Sequence, residues 1–400
     1  MRYRFGSCEL RPESRELLVD GQVRPVEPQV FDLLCLFASE PGRLISHDEL
    51  IERIWGGRIV SDSAVSARIS AARSAIGDNG TDQACIRTVP RRGFRFVAEV
   101  AGPDTADRPG PPSPPAEIQQ RVRFCQSADG TTIAFAETGA GPPLVKVGHW
   151  LTNLDYDWHS PIWRPFLDRM SQDFRVVRYD QRGNGLSDWK VKEFSFDRFV
   201  DDLEAVIDAA GVDRFVLYGT SQGAAIAIAY ACRHPERVSH LILHGGYQAG
   251  RSVRLDESER EEGEALLTLV RHGWGRPESA FFRMFSSLFI PDSSSEEIGS
   301  LAELQRRTTS PENAALIRAS CDRFDVRNML GECRVPTLVL HARNDSVHPL
   351  DQGRKLAAGI PGARFVLLES ANHVILPHEA AWSTLFASIA DFTGQGQQRQ

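Results

Sequence analysis

Along the first hundred residues, short hydrophobic runs give way to helical periods and then to a hairpin pattern. The runs at residues 2–5 and 17–19 predict strands. Over residues 28–39, apolar side chains recur every three or four positions, which predicts a helix with one buried face. Strands followed by helices and a hairpin indicate a small α+β domain.

Two further helices are predicted from their N-terminal signals. Ser46 has a glutamate three residues later, a capping-box pattern that predicts a helix through Trp55. Ser61 or Asp62 caps a third helix that runs to about Ile76. The runs at 86–89 and 94–97 then flank Pro-Arg-Arg-Gly, which predicts a hairpin.

A proline-rich stretch divides this domain (residues 1–101) from a second one with a different pattern. Residues 102–118 lack an apolar period and predict a linker. Over residues 119–394 strands alternate with helices, which predicts a mostly parallel sheet. The segment 248–332 lacks a strong strand and predicts a helical cap, and 395–400 predict a flexible tail. The predicted strands are 122–126, 132–137, 144–147, 176–179, 215–218, 238–243, 337–341 and 365–368.

Composition limits the class of protein. The chain has 400 residues, 42% hydrophobic and 25% charged, as in an ordinary globular protein of two or more domains. Seven scattered cysteines form no C-x-x-C pair, so we expect a reducing, cytoplasmic setting without disulfides or a metal site. Without a signal peptide or an apolar run of about 18 residues, we expect no membrane association. No pattern calls for a cofactor.

The net charge of -7 argues at first against a nucleic-acid partner, but the charge is uneven. Residues 1–100 hold 14 arginines and 14 acids, so the whole acidic excess lies in residues 101–400. From Arg58 to Arg95 there are seven arginines and three acids. This local excess of positive charge favours a phosphate backbone as partner.

The third helix has two distinct faces. Val65, Ile69, Ala72 and Ile76 recur at helical spacing and predict the buried face. Small residues on the opposite face allow close approach to a major groove, and neighbouring arginines can reach bases or phosphates. The predicted DNA contacts on this helix are Ser63, Ser66, Ala67, Arg68, Ser70 and Arg73. A solvated amphipathic helix is the alternative interpretation.

The order of elements, ending in Ile86-Arg-Thr-Val-Pro-Arg-Arg-Gly-Phe-Arg-Phe96, resembles the winged-helix output domain of OmpR/PhoB-type regulators. The resemblance implies sequence-specific binding of double-stranded promoter DNA. It identifies the third helix as the recognition helix and places Arg91 and Arg92 on a wing near the minor groove. The serines and alanines of the helix depart from the longer polar residues common in that family. A homodimer is compatible with paired half-sites.

In the second domain, Gly219-Thr-Ser-Gln-Gly223 follows an apolar run and opens a helix of small residues. Strand, G-x-S-x-G turn and helix together form the context of a nucleophile elbow. The tight turn requires small neighbours and exposes Ser221 at the end of the sheet. The helix N-terminus favours negative charge that develops beside it.

Two partners follow in the order Ser…Asp…His. Asp345 and His373 each come just after a predicted strand, where parallel sheets place their sites. We therefore predict Ser221 as nucleophile, His373 as general base and Asp345 as the residue that orients the imidazole. Glu369 is an alternative acid.

The second domain resembles the α/β-hydrolase superfamily over residues 119–394. This resemblance implies an oxyanion hole from the backbone N–H groups of Gln222 and Trp150, although Gly148-His-Trp150 departs from the common His-Gly order. The loop 180–188 resembles the loop that braces the elbow. With the stretch 153–158, it looks closest to hydrolase modules fused to cyclases or winged helices.

The sequence thus predicts a one-component transcription regulator. Its winged helix binds DNA, and its serine hydrolase domain binds and hydrolyses a small ester, lactone or ketone. One alternative is a ligand sensor whose triad contributes little turnover. Another is a metabolic esterase with an accessory DNA-binding domain.

Overall fold

The computed structural model describes residues 2–56, 60–89, 93–98, 100, 120–254, 256–274 and 280–395. The chain forms two compact units, Met1–Pro115 and Ala116–Gln400. The predicted linker at 102–118, Arg91, Arg92 and residues 396–400 of the tail lie outside the described residues.

A four-stranded antiparallel sheet, with its strands in chain order, opens the first unit. Two of its strands were predicted, and β2 and β4 were missed; all three residues of β4 are exposed, so β4 has no apolar signal. The strands are β1 (Tyr3–Phe5), β2 (Cys8–Arg11), β3 (Glu16–Val19) and β4 (Gln22–Arg24).

Three helices and a second sheet in the order β5-β7-β6 complete this unit. The hydroxyls of Ser46 and Ser61 cap α2 and α3, each accepting from the backbone N–H three residues on, at 3.2 and 3.3 Å. The Glu49 side chain binds Arg43 instead of completing the capping box. The elements are α1 (Pro28–Ser39), β5 (Leu44–Ile45), α2 (His47–Trp55), α3 (Asp62–Ala75), β6 (Ile86–Val89) and β7 (Gly93–Phe96).

The second unit is built on an eight-stranded sheet in the order β15-β14-β13-β12-β10-β11-β9-β8. The pairs β8–β9 and β9–β11 are antiparallel and the other five pairs are parallel, as the apolar runs predicted. The strands are β8 (Arg121–Gln126), β9 (Thr132–Thr138), β10 (Pro143–Lys146), β11 (Arg175–Tyr179), β12 (Phe215–Thr220), β13 (Val238–His244), β14 (Thr337–Ala342) and β15 (Arg364–Leu368).

Helices cover this sheet, and four of them form the predicted cap between β13 and β14. The cap helices are α8 (Glu257–Gly273), α9 (Ala280–Phe289), α10 (Ser295–Thr308) and α11 (Pro311–Cys321). The others are α4 (Leu154–His159), α5 (Trp163–Asp173), α6 (Phe196–Ala210), α7 (Gly223–Arg233), α12 (Leu350–Gly359) and α13 (Ala380–Thr393). Within the described residues, no helix combines the length and hydrophobicity that a membrane crossing requires.

Candidate active site and nucleic-acid interface

Ser221 occupies a strained turn between β12 and α7. Its φ of 55° lies in the left-handed region, which a residue with a side chain rarely adopts. A Cβ on Gly219 would lie 2.7 Å from the carbonyl oxygen of Gly223, and a Cβ on Gly223 would lie 2.6 Å from that of Gly148. The two glycines of the motif are therefore required by the tightness of the turn, and the strain holds the serine at the end of the strand.

A second group lies at the ends of β14 and β15. Nδ1 of His373 is 2.6 Å from Oδ2 of Asp345. The other carboxylate oxygen accepts from the backbone N–H groups of Val347 and His348 at 2.8 and 2.9 Å. Burial opposes the charged carboxylate, but His373, His341 and the backbone N–H of His348 together outweigh it and lower the pKa of Asp345. The carboxylate is therefore charged and fixed, as an orienting acid must be.

The Ser221 hydroxyl contacts a histidine that the sequence did not single out. Its Oγ lies 3.3 Å from Nε2 of His348. Nε2 of His373 is buried and has no hydrogen-bond partner among the described residues. The rings of His348 and His373 are 5.4 Å apart between centroids. Two imidazoles, rather than one, therefore stand beside the nucleophile.

His348 is a neutral group in this structure. Burial, together with positive charge at neighbouring groups, lowers its pKa well below the ordinary value for histidine. A histidine three residues after Asp345 was the one available sequence signal. By itself that spacing has no chemical meaning, because only the fold turns His348 toward Ser221.

Ser221 and His373 line one small, mainly apolar cavity of about 30 Å³. Trp150, the predicted second oxyanion residue, lines it too, and Gln222 is the N-cap residue of α7. Further walls come from the cap and from neighbouring loops: Leu151, Trp163, Phe289, Leu301, Leu304, Gln305 and Val374. Its mainly apolar lining favours a hydrocarbon group over water beside Ser221.

Gln181 connects the two loops from which the oxyanion donors are predicted. Its side-chain amide donates to the carbonyl oxygen of His149, and its oxygen accepts from Nε2 of Gln222 at 3.1 Å. A Cβ on Gly148 would lie 2.3 Å from Cγ of Gln181. In this chain the glycine precedes His149 instead of following it, and this order leaves room for the side chain of Gln181 beside Gly148.

The rest of the loop 180–188 is held by buried charge. The Arg182 guanidinium donates to Asp202 at 2.6 Å and to Asp129 at 2.9 Å. Asp180 accepts from the backbone N–H groups of Leu154 and Leu186, both at 2.8 Å. These bonds position the loop beneath the elbow.

The cap bonds directly to the loop that carries His373. The carbonyl oxygen of Phe289, at the end of α9, accepts from the backbone N–H groups of His373 and Val374 at 2.8 and 3.2 Å. By contrast, Glu369 is exposed and pairs with Arg343. Glu369 is therefore wrong as the alternative acid, since its carboxylate points to the protein surface.

In the first unit, α3 has the two faces that its sequence predicted. Val65, Ile69, Ala72 and Ile76 are buried. The opposite face is exposed and carries Ser63, Ser66, Ala67 and Ser70. Arg68 lies at its margin, half-buried, and pairs with Glu27. This part of the predicted contact surface is thus accessible to a partner.

Arg73 corrects the prediction for this helix. Its side chain is 7% exposed, and its guanidinium donates to the carbonyl oxygen of Ile86 and to Oγ1 of Thr88 at 2.7 and 2.9 Å. Because Arg73 comes four residues after Ile69, it lies on the buried side of α3. It fastens the helix to the hairpin and is not available to DNA.

Comparison with known proteins agrees with this architecture. A family described as "alpha/beta hydrolase fold" matches residues 149–380, more than half of the chain. The chain belongs to the α/β-hydrolase family. A second family, "Transcriptional regulatory protein, C terminal", matches residues 21–96. The α/β-hydrolase domain is thus preceded by a DNA-binding regulatory domain of the winged-helix type, which confirms the predicted fold.

Relatives of the α/β-hydrolase domain include proteins named as hydrolases, and solved structures share its fold. A 2-hydroxy-6-oxononadienedioate/2-hydroxy-6-oxononatrienedioate hydrolase of Paraburkholderia phymatum is 31% identical over 265 residues, 64% of this chain and 90% of the relative. A 2-hydroxy-6-oxo-6-phenylhexa-2,4-dienoate hydrolase of Comamonas testosteroni is also 31% identical, over 63% of this chain and 84% of the relative. An esterase structure from Exiguobacterium antarcticum superimposes with a TM-score of 0.57 at 23% identity, covering 67% of this chain and 98% of the esterase.

Proposed function

We propose that the chain is a one-component transcription regulator whose α/β-hydrolase domain binds and hydrolyses a small ester, lactone or ketone. The observation that carries this proposal is the strained Ser221, held in one cavity with His373 while Asp345 fixes the imidazole. The relatives named as hydrolases of 2-hydroxy-6-oxo acids, which carry a ketone, support the substrate class.

In the proposed reaction, Ser221 Oγ attacks the substrate carbonyl while Nε2 of His373 accepts the hydroxyl proton. Rotation of the serine side chain away from His348 precedes this step. The backbone N–H groups of Gln222 and Trp150 stabilise the oxyanion. His373 then protonates the leaving group, and a water molecule hydrolyses the acyl-enzyme with His373 again as base, which restores the free serine.

The first unit supplies the proposed regulatory output. The exposed face of α3 enters the major groove of promoter DNA, with Arg68 at its margin. Arg91 and Arg92 stay predictions as wing contacts. Double-stranded DNA and a small molecule are thus the proposed partners, and a homodimer would match paired half-sites.

A fluorophosphonate probe tests the nucleophile on the full chain. We expect covalent labelling of the wild-type protein at Ser221 and none of Ser221→Ala, with Ser252→Ala as a matched control that stays labelled. A folded wild-type protein that resists the probe would contradict an activated serine. Gel-shift titration with promoter DNA tests the first unit separately, because that binding should weaken steeply with salt.

Ligand sensing without turnover is favoured by one observation, the contact of Ser221 with His348 in place of His373. A reporter assay with Ser221→Ala separates the two functions. An unchanged response to the inducing molecule identifies a sensor, whereas a lost response with retained ligand binding identifies a role for hydrolysis.

A further inference from the structure

A second cavity, of about 280 Å³ and partly open to solvent, lies between the cap and the loop after β14 and shares Phe289 with the cavity of Ser221. Leu266 and Leu269 of α8 and Phe285 of α9 form apolar walls. This space is larger than the one beside the serine and is of the size that small organic ligands occupy.

Two buried arginines line this otherwise mainly apolar space. Arg251 and Arg318 are 6% and 7% exposed. Nε of Arg318 donates to Asp322 at 2.8 Å, but its Nη2 is buried and has no hydrogen-bond partner among the residues that the structure describes. A buried guanidinium nitrogen without an acceptor is costly in a folded protein.

The position of Arg251 depends on a glycine of α8. Its Nη2 donates to the carbonyl oxygen of Val347 at 2.6 Å. A Cβ on Gly263 of α8 would lie 3.1 Å from Cβ of Arg251, so the glycine leaves room for the arginine. Burial lowers the pKa of Arg251 to about 10, which still leaves it positively charged at neutral pH.

The neighbouring charges favour a monoanion. Asp322 already binds Arg318, and Arg254 lies near Glu259 at 3.4 Å. Glu262 borders the cavity from an exposed position, where it would repel a dianion. A single carboxylate satisfies planar guanidinium donors without the additional charge of a phosphate.

We propose that this cavity binds the carboxylate of an amphipathic organic acid, with Arg251 and Arg318 as donors and its hydrocarbon chain against Leu266, Phe285 and Phe289. The proposal rests on the proposed function only in treating the hydrolase domain as a ligand-binding unit, and it needs neither Ser221 nor turnover. Because Arg251 bonds to Val347, the bound acid would adjoin the loop that carries His348.

Calorimetric titration of the full chain with hexanoate and with hexanamide tests the charge requirement. We expect hexanoate to bind about tenfold or more tightly than the uncharged amide, since a charged hydrogen bond is worth that much. Arg318→Gln and Arg251→Gln should each remove the preference. Arg271→Gln, an exposed arginine on α8, is the matched control and should retain it.

A space-filling variant and a serine variant make the test independent of folding and of catalysis. Leu269→Trp places a larger side chain at the cavity wall, leaves both arginines in the sequence, and should abolish hexanoate binding with an unchanged thermal midpoint. Ser221→Ala should bind hexanoate like the wild type. A failure of fluorophosphonate labelling would therefore leave the prediction of hexanoate binding unaffected. Equal affinity for amide and acid, tighter binding of hexyl phosphate, or full binding by both arginine variants would overturn the proposal.

Discussion

Helices α3 and α7 are both rich in small residues, but the molecule uses them in opposite ways. In α7 every residue from Gly223 to Ala231 is buried, because the helix packs between α6 and the central sheet. In α3 serines and Ala67 face outward, whereas Val65, Ile69 and Ala72 cover the core. The same residue types let a helix approach a sheet in one unit and leave a smooth outer face for a partner in the other.

This difference shows what helix composition leaves open. A helix that is apolar on all sides must be enclosed, whereas one with a single apolar stripe keeps a free face. In α7 that enclosure fixes the turn at Ser221. In α3 the free face carries the predicted DNA contacts. Mutations at the two helices should therefore have effects of different kinds.

The largest expected effect is on the rate of the reaction at Ser221, just before α7. His373→Gln should lower kcat/KM for a small aryl ester about 10⁴-fold, because the nucleophile loses its base. His348→Gln should change it less than about tenfold, since His348 contacts the serine but has no orienting carboxylate. Steady-state kinetics of both variants provide the measurement. An equal loss in the two would make His348 the base and reverse our assignment.

A matched pair of leucine substitutions tests the two helices themselves. Ala227 of α7 is fully buried, so Ala227→Leu should lower the free energy of unfolding by about 1–3 kcal/mol through overpacking. Ser70 of α3 is exposed, so Ser70→Leu should change it by less than about 0.5 kcal/mol. Urea unfolding measures both. Ser70→Leu should instead weaken DNA binding, and a normal gel shift would remove α3 as the contact helix.

Two arginines of α3 should separate stability from binding. Arg73→Ala leaves the carbonyl oxygen of Ile86 without its donor and should cost about 1–3 kcal/mol of stability. Arg68→Ala should leave stability nearly unchanged and lower the slope of log affinity against log salt by about 1. Salt-dependent DNA titrations, with urea unfolding as control, decide between these roles. A stable Arg73→Ala protein with weaker DNA binding would restore Arg73 to the interface.

Acid should destabilise the hydrolase domain more than the DNA-binding domain, which holds only one of the 11 histidines. Burial lowers the pKa of His244 to about 3. As the pH falls below about 6.5, the unfolded chain gains a proton that folded His244 does not, so stability declines by about 1.4 kcal/mol per pH unit. Urea unfolding at pH 7.5 and 5.5 should show this loss, reduced in His244→Gln. If His244→Gln loses as much stability as the wild type, other groups cause the loss.

Local patterns were sufficient for the domain order, the helix caps, the elbow and the fold class. Each of these depends on residues within a few positions of one another, such as Ser61 before α3 or the glycines beside Ser221. Short-range sterics and the period of buried residues act on neighbours along the chain, so the sequence expresses them directly.

Contacts between distant residues were decided only by the tertiary structure. His348 lies 127 positions from Ser221, and only the packing of β14 beside β13 and β12 brings its loop to the elbow. The burial of Arg73 and the pairing of Glu369 with Arg343 follow in the same way from neighbours supplied by other elements. The sequence by itself determined which groups were available for chemistry. Close packing decided which of them meet, because burial and hydrogen-bond partners are properties of the assembled fold.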